Sequence, residues 1–257
     1  MPIVEAPAKL TLSLRITGVR SDGFHLIDAE MVTLELADTV TITAGGHGIS
    51  ADGPYAAGMP LDSSNLVARA LVLADRTAAV HLHKVVPHGG GLGGGSADAA
   101  AVLRWAGFHD LDAASRLGAD VPFCLVGGRA RVQGIGEIVR PLPAQPAELT
   151  LVIPPLMVST PAAYRAWDEL GGPRAPGQND LEPAALAVVP ELGRWRDRIR
   201  EITGVTPTLA GSGATWFVHG HPAELQAALA PDATVVFTRT RVETRNDPRP
   251  DLPDGGR

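Results

Sequence analysis

Residues 88–101, HGGGLGGGSADAAA, place six glycines between an apolar, strand-like run and a run of helix-forming residues. Because glycine lacks a Cβ, its backbone can approach a ligand closely, and consecutive N–H groups can converge on an anion. The free N–H groups and the dipole of the following helix favour negative charge at the same place. This stretch therefore predicts a cradle for phosphate groups, to which the hydroxyl of Ser96 can add a ligand for phosphate or Mg²⁺.

Other glycine-rich motifs fit these residues less well. A P-loop requires a lysine before its Ser/Thr, and no lysine lies between residues 88 and 107. Gly89, Gly91 and Gly94 satisfy the spacing of a dinucleotide-binding fingerprint, but no second strand ending in an acidic residue follows. A dinucleotide-binding oxidoreductase is therefore the weakest alternative. A flexible linker is also disfavoured, because linkers are seldom placed between a buried strand and an amphipathic helix.

Three polar residues stand out by their positions. Asp120 in LGADVPF is either the N-cap of a helix or a carboxylate that accepts a proton from an alcohol, and the residues alone leave this choice open. Lys9 opens an alternating, strand-like segment, where a lysine is usually a solvated edge residue. Asn65 in SSNLV is suited to cap a helix.

The histidines and the cysteine predict packing or surface roles. His81 and His83 share one face of a strand at a spacing that can bind a metal, but the sequence offers no third ligand. We therefore predict no metal site built from side chains. Cys124 lies in the apolar segment PFCLV and is predicted to be a buried packing residue.

Composition excludes several classes of protein. The chain has 257 residues, is 45% hydrophobic and 19% charged, and carries a net charge of −6, which argues against non-specific nucleic-acid binding. Its most apolar window, residues 149–158, is interrupted by two prolines and is too short to span a bilayer. The N-terminus lacks a signal-peptide pattern, and one cysteine cannot form an intramolecular disulfide. We predict a cytoplasmic protein with neither nucleic acid nor membrane as partner.

The order of elements predicts an α+β chain in two units. Strands are expected at 9–18, at 29–43 (one or two) and at 80–86, with helices within 62–78 and near 96–105 and a loop at 45–60. Residues 110–142 are expected to form a short helix, a turn at 118–120 and a hairpin. After a proline-rich shift at 141–148 come a strand at 149–153, helices near 161–170, 181–186 and 190–201, and a strand at 215–219. The predicted domains are 1–145 and 146–244, with a disordered tail at 245–257.

Seven segments, in the same order along the chain, resemble motifs of the GHMP kinases, the family of galactose, homoserine, mevalonate and phosphomevalonate kinases. They are PAKLT, DGFH, GGGLGGGSADAA, GADVPF, VSTPAAY, NDLEP and GSGA, and they cover residues 4–240. Three features depart from the pattern. Thr11 stands where the family usually has asparagine, Phe24 where it has tyrosine, and the segment 106–119 is shorter than expected.

The resemblance implies a two-domain GHMP kinase fold, with a ribosomal protein S5 domain 2-like N-terminal domain and a ferredoxin-like C-terminal domain. It also implies ATP as the phosphoryl donor, with Mg²⁺ held mainly by the ATP phosphates. The segments DGFH and STPAAY are similar to those of family members that phosphorylate the 2-hydroxyl of 4-diphosphocytidyl-2-C-methyl-D-erythritol, a cytidine diphosphate ester, in isoprenoid precursor biosynthesis. A monomer or weak homodimer is expected.

The resemblance also assigns roles to residues. Asp120 becomes the catalytic base and Lys9 its cationic partner. The residues expected to bind ATP are Asn65, Leu66, Pro87, His88, Gly89, Gly90, Gly91, Leu92, Gly93, Gly94, Gly95, Ser96 and Ala97. Those expected to bind the acceptor are Thr11, Phe24, His25, Thr160, Tyr164, Gly211, Ser212 and Gly213, with Phe24 and Tyr164 as flat surfaces for the pyrimidine and His25 as the reader of its edge.

Two alternatives stay open. One is another alcohol kinase of the same family, with a different small-molecule acceptor. The other is a nucleotide-binding protein without catalysis, which the presence of both Lys9 and Asp120 disfavours.

Overall fold

The first β-sheet is built around one long strand. The computed structural model describes residues 1–87 and 89–242. Its first sheet contains β1 (Ile3–Val19), β2 (His25–Ala44), β3 (Ile49–Asp52), β4 (Ala78–His83), β5 (Arg129–Gly134) and β6 (Ile138–Pro141). One edge of β2 pairs with β1, and its other edge pairs with β5 and then β4 along its length. The accompanying helices are α1 (Leu66–Leu73), α2 (Gly94–Trp105), α3 (Leu111–Ser115) and α4 (Val121–Val126).

The second sheet has the strand order β10-β7-β9-β8. Its strands are β7 (Glu148–Ile153), β8 (Thr208–Leu209), β9 (Trp216–His219) and β10 (Thr234–Arg239). The helices of this part are α5 (Thr160–Glu169), α6 (Glu182–Val188), α7 (Glu191–Thr203) and α8 (Ala223–Leu229). The predicted α+β class is confirmed, as is the sequence order of most elements.

The structure corrects several sequence-based element assignments. The predicted loop at 45–60 contains β3, and the sequence analysis missed α4, β8, α8 and β10. Strand β4 ends at His83 rather than at Val86, because the N–H groups of Val85 and Val86 donate to Oδ1 of Asp38, at 2.6 and 2.8 Å, instead of to a neighbouring strand. The domain limits 1–145 and 146–244 stay a prediction, and the whole predicted tail, 245–257, lies outside the described residues.

One apolar cluster joins the two sheets and fixes the glycine-rich segment between them. Leu10 of β1 and Leu34 of β2 share this cluster with Leu151 of β7, and all three are fully buried. Leu92, the one large side chain inside the glycine run, is also fully buried in it. Leu92 therefore anchors the glycine loop in the core that both sheets form.

Beneath the glycine loop lies a buried group of three charged residues: Asp38 on β2, Lys84 just after β4, and Asp98 on α2. Each is at most 2% exposed. The Nζ of Lys84 donates to Oδ2 of both carboxylates. Because an unpaired charge in the protein interior is strongly destabilising, this arrangement ties the start of α2 to the first sheet.

The two carboxylates of this group are not equivalent. Asp38 accepts two backbone N–H groups in addition to the lysine, whereas Oδ1 of Asp98 has no partner among the described residues. Burial raises the pKa of Asp98 to about 7, and the charge of Asp38 adds to that effect while Lys84 opposes it. Asp98 is therefore the carboxyl of this group that takes up a proton as the pH falls.

The raised pKa predicts a pH-dependent stability. Between pH 3.8, the ordinary carboxyl pKa, and about pH 7, Asp98 is ionised in the unfolded chain but protonated in the folded one. Folding in this range is therefore accompanied by the uptake of a proton. The free energy of unfolding should therefore fall as the pH rises from about 5 to 7, and Asp98→Asn should remove about 1–2 kcal/mol of that fall. Urea unfolding of both proteins at the two pH values measures this, with Asp112→Asn on the exposed face of α3 as control. Parallel profiles for the wild type and Asp98→Asn would show that Asp98 is ionised throughout.

Candidate active site

A cleft of about 800 Å³ lies where the glycine loop, β1 and α5 meet. It is lined by both predicted catalytic residues and by all eight residues predicted to bind the acceptor. The polar and aromatic residues that line it include Lys9, Thr11, Phe24, His25, Arg116, Asp120, Thr160, Tyr164, Arg165, Asp168 and Ser212. Gly89, Gly91, Gly211 and Gly213 also reach its wall.

Lys9 and Asp120 form an ion pair in this cleft. The Nζ of Lys9 lies 3.2 Å from Oδ2 of Asp120, and the same Nζ donates to the hydroxyl of Thr11 at 3.2 Å. Lys9 is almost fully buried, whereas the Asp120 side chain is 31% exposed. The pair therefore presents a carboxylate to the cleft, held in place by a cation that solvent does not reach.

Asp120 occupies the N-cap position of α4, as one of its two sequence interpretations allowed. Its side chain makes no capping hydrogen bond, and its backbone has helical rather than extended dihedral angles. Pro122, the second residue of the helix, has no N–H that would need a capping partner. The helix thus forms without using the Asp120 carboxylate, which is left for Lys9 and for a ligand.

The glycine loop packs against protein on more sides than the sequence analysis expected. Gly91 has a φ of +77°, and a Cβ at this residue would overlap the carbonyl oxygen of Ala210. Gly93, at a φ of +68°, would bring a Cβ to 2.7 Å from the Cγ of Lys9. The absence of side chains at these two positions is required by the fold itself. Gly95, exposed in the first turn of α2, has only the Leu66 side chain within van der Waals distance of such a Cβ.

The segment GSGA is held against the glycine loop by a residue whose role the sequence analysis did not identify. Asn179 of the motif NDLEP is buried and donates from its side chain to the carbonyl oxygens of Leu209 and Gly211, at 2.9 and 2.6 Å. The side-chain oxygen Oδ1 of Asn179 accepts from the N–H of Leu181 at 2.9 Å. The motif was visible in the sequence, but its partners lie about 30 residues away and become evident only in the fold.

The next residue of that motif, Asp180, fixes the cleft from the β1 side. Its carboxylate accepts from Arg15 at 2.7 Å and from the backbone N–H groups of Ile16 and Ala175. Asn179 and Asp180 together connect β1 to the segment that follows α5. Asn179 thus holds the segment 209–211, and Asp180 holds β1, and neither side chain bonds to Lys9 or Asp120.

The residues predicted to bind ATP lie on the glycine loop and beside it. Asn65 is the N-cap of α1: its Oδ1 accepts from Val67 N–H at 2.8 Å, and its Nδ2 donates to the Pro60 carbonyl at 2.7 Å. Its side chain is therefore engaged in structure, and it does not line the cleft. Leu66 and Ser96 flank Gly118. Pro87, Gly90, Leu92, Gly94 and Ala97 are buried, Gly93 and Ser96 are half-buried, and His88 lies outside the described residues.

The residues predicted to bind the acceptor all line the cleft, and Thr11 lies beside Lys9. Phe24 is 57% exposed, and the hydroxyls of Thr160 and Ser212 lie 2.8 Å apart. The ring of Tyr164 packs on that of His25, with centroids 4.6 Å apart. One face of Tyr164 is therefore covered by His25, so Phe24 offers the more open flat surface of the two.

Two further titratable groups near the cleft are shifted towards their neutral forms. Burial raises the pKa of the Tyr164 hydroxyl, and the charge of Asp120 adds to the effect. Burial raises the pKa of the Cys124 thiol to about 12, with a smaller contribution from Asp120. Cys124 is buried among apolar side chains, which confirms the predicted packing role.

His81 and His83 lie outside this cleft. Nδ1 of His83 is 2.6 Å from a carboxylate oxygen of Asp52 on β3, and Nε2 of His81 is 3.6 Å from the other oxygen. Over residues 1–87 and 89–242, no set of three or more His, Cys, Asp or Glu side chains is arranged to hold a metal ion. Within the same residues, no helix has both the length and the apolar character needed to cross a membrane.

Comparisons with known proteins find similarity along nearly the whole chain. The family model described as "GHMP kinases N terminal domain" matches residues 65–128. A 4-diphosphocytidyl-2-C-methyl-D-erythritol kinase of Paracoccus denitrificans is 42% identical over 249 residues, which cover 88% of this chain and 89% of that protein. A kinase of the same description from Ruegeria pomeroyi is 38% identical, with 82% of this chain and 86% of that protein covered.

Solved structures show the same relationship at the level of the fold. The crystal structure of a 4-(cytidine 5'-diphospho)-2C-methyl-D-erythritol kinase is similar with a TM-score of 0.75 and 31% identity, over 94% of this chain and all of that one. A mevalonate kinase of L. major has a TM-score of 0.67 at 12% identity, over 95% of this chain and 97% of that one, and shares the fold.

Proposed function

The chain belongs to the 4-diphosphocytidyl-2-C-methyl-D-erythritol kinase family of the GHMP kinases, and on that premise we propose that it catalyses the reaction for which the family is named. The terminal phosphoryl group of ATP would be transferred to the 2-hydroxyl of 4-diphosphocytidyl-2-C-methyl-D-erythritol, with ADP as the other product. The observation that carries this proposal is the pairing of Lys9 with Asp120 beside the glycine loop.

The mechanism assigns one role to each member of the pair. The acceptor hydroxyl lies against the Asp120 carboxylate, which accepts its proton as the oxygen attacks the γ-phosphorus and the bond to the β-phosphate oxygen breaks. The Lys9 ammonium, 3.2 Å away, holds the Asp120 carboxylate in place and stabilises the charge that develops on the transferring group. Because Lys9 is buried, this electrostatic stabilisation is not weakened by solvent.

The glycine loop would hold the phosphates of ATP. Gly93 and Gly95 flank the beginning of α2, where free backbone N–H groups and the helix dipole favour an anion. The half-buried Ser96 hydroxyl on the first turn suits Mg²⁺, which prefers oxygen ligands and is commonly held through substrate phosphates. Bound there, Mg²⁺ would neutralise phosphate charge.

The charges of the cleft suit two phosphorylated ligands. Lys9, Arg116 and Arg165 line it against the carboxylates of Asp120 and Asp168. Both carboxylates are already paired, with Lys9 and His25 respectively. Neither Arg116 nor Arg165 has an ion-pair partner within the described part of the chain, so both guanidinium groups are available to phosphate oxygens.

The aromatic residues of the cleft suit the pyrimidine of the proposed acceptor. Phe24 is 57% exposed, and Tyr164 and His25 line the same cleft with their rings packed together. A cytosine needs apolar contact on its faces and polar groups at its edge. The hydroxyl of a tyrosine is not required for stacking, so Phe24 in place of the usual tyrosine is compatible with this role.

A second candidate function is phosphorylation of a different alcohol. Thr11, whose hydroxyl bonds Lys9 inside the cleft, replaces the usual asparagine beside the site of phosphoryl transfer. A shorter side chain at this point leaves more room around the acceptor hydroxyl. Other alcohols of similar size are therefore the competing acceptors.

Product analysis separates the two candidates. We expect the protein with ATP and Mg²⁺ to phosphorylate the cytidine diphosphate ester, and to act at least about tenfold less efficiently on homoserine, mevalonate and free 2-C-methylerythritol 4-phosphate. Phosphorus NMR of the products identifies the acceptor and the position of the new phosphate. Equal phosphorylation of an alcohol without a pyrimidine would support the alternative, and ATP binding without any transfer would support a non-catalytic protein.

The role of Asp120 predicts a specific kinetic loss. Asp120→Asn keeps the size of the side chain but removes the proton acceptor, so kcat should fall by at least about 10²-fold, with little change in ATP affinity. Steady-state kinetics with calorimetric ATP binding measure both quantities. The matched control is Asp110→Asn at the N-cap of α3, where the side chain accepts from Ala113 N–H and lies outside the cleft. Near-wild-type turnover of Asp120→Asn would exclude Asp120 as the base.

A further inference from the structure

The imidazole of His25 is held by three neighbours on α5. Its ring lies 4.6 Å from the ring of Tyr164, at an interplanar angle of 32°, and 5.6 Å from the ring of Trp167, nearly perpendicular to it. Its Nε2 is 2.8 Å from Oδ1 of Asp168. The His25 side chain is 9% exposed, although it lines the cleft.

The neighbours themselves are fixed in place. The indole N–H of Trp167 donates to the Pro173 carbonyl at 2.9 Å, and Gly172 packs against the Trp167 ring so closely that a Cβ would lie 2.9 Å from it. Trp167 and Asp168 therefore come from a segment whose geometry does not depend on a ligand. The orientation of the His25 ring is set before any acceptor binds.

The bond to Asp168 also determines where a neutral His25 carries its proton. An ionised carboxylate only accepts hydrogen bonds, so Nε2 must carry the hydrogen. The other ring nitrogen, Nδ1, is then an acceptor. Nδ1 has no hydrogen-bond partner among the described residues, so it is the ring atom left for a ligand.

We propose that Asp168 is a positioning residue for base recognition: it holds the proton of His25 on Nε2, so that Nδ1 accepts a hydrogen bond from the exocyclic amine of cytosine. The proposal rests on the function proposed above, since it requires a cytidine-bearing acceptor. Asp168 does not touch the base in this account and acts only through His25.

This arrangement distinguishes cytosine from uracil by a difference in hydrogen-bond direction. Cytosine presents an amine donor where uracil presents a carbonyl acceptor. An Nδ1 acceptor binds the amine, whereas opposite a uracil carbonyl it would face a second acceptor, with both left unpaired on desolvation. Stacking cannot make this distinction, because both pyrimidines offer similar flat faces.

The test compares discrimination and tautomer in three variants. Asp168→Ala removes the carboxylate, Asp168→Glu restores one, and Glu169→Ala removes the exposed neighbouring carboxylate on the same helix, which does not line the cleft. For each protein, kcat/KM is measured with the cytidine diphosphate ester and its uridine analogue. Nitrogen-15 NMR of the histidine rings gives the tautomer of His25 in the unliganded protein, with His25→Gln used for assignment.

We expect the wild type and Glu169→Ala to show the Nε2–H tautomer and to prefer the cytidine ester. In Asp168→Ala, the resonances of His25 should shift towards a tautomer mixture, and the cytidine preference should fall by about tenfold or more, mainly through KM. Asp168→Glu should recover part of the Nε2–H tautomer population and part of the preference for the cytidine ester. Because Asp168 is half exposed, its loss should leave the fold intact.

Two results would overturn the proposal. One is an unchanged cytidine preference in Asp168→Ala; the other is a wild-type His25 with its proton on Nδ1 or on both nitrogens. If the wild type phosphorylated neither ester, the proposed function would fall instead. The tautomer, together with calorimetric binding of cytidine and uridine 5′-diphosphates, would then still decide the role of Asp168.

Discussion

The site depends on the close approach of three backbone segments. The N–H of Lys9 on β1 donates to the carbonyl of Leu92 at 2.9 Å, and the N–H of Thr215 donates to Gly90 at 3.3 Å. The glycine loop is thus held between the first sheet and the segment after β8, and Gly91 leaves no room for a side chain at this contact. Because a backbone hydrogen bond joins β1 to the glycine loop, Lys9 is fixed relative to that loop as well as to Asp120.

Burial around this contact gives the two kinds of charge different functions. The group of Asp38, Lys84 and Asp98 is fully buried, lines no part of the cleft and connects β2 to α2. The pair of Lys9 and Asp120 is buried only on the lysine side, so its carboxylate can meet a ligand. The fully buried charges of Asp38, Lys84 and Asp98 hold backbone segments together. In the Lys9–Asp120 pair only the lysine is buried, so the exposed carboxylate oxygen is the atom that can take part in chemistry.

The sequence predicted the parts of this protein that depend on local pattern. The alternation after Lys9, the glycine run and the helix-forming residues after Ser96 predicted β1, the loop and most of α2, because each reflects the period or flexibility of its own segment. The family motifs predicted that Lys9 and Asp120 are partners, and Nζ of Lys9 lies 3.2 Å from Oδ2 of Asp120.

The sequence did not predict features that depend on distant partners. The charge of Lys84 gave no sign that it would be buried between two carboxylates from different elements. Asn179 and Asp168 likewise act on residues 30 and 143 positions away. The glycines were interpreted mainly as a place for phosphate, whereas Gly91 and Gly93 are also required by protein packing. Strands such as β3 are short and form only because a neighbouring strand is already in place.

The most direct test of the central claim is a double-mutant cycle on Lys9 and Asp120, measured as the single-turnover rate of phosphoryl transfer. If the two side chains act as one unit, Lys9→Met and Asp120→Asn should each reduce the rate by about 10²-fold or more, and the double variant should lose little beyond the larger single loss. Circular dichroism of each variant controls for folding. Losses that multiply in the double variant would show that the two residues contribute independently, which would contradict the account.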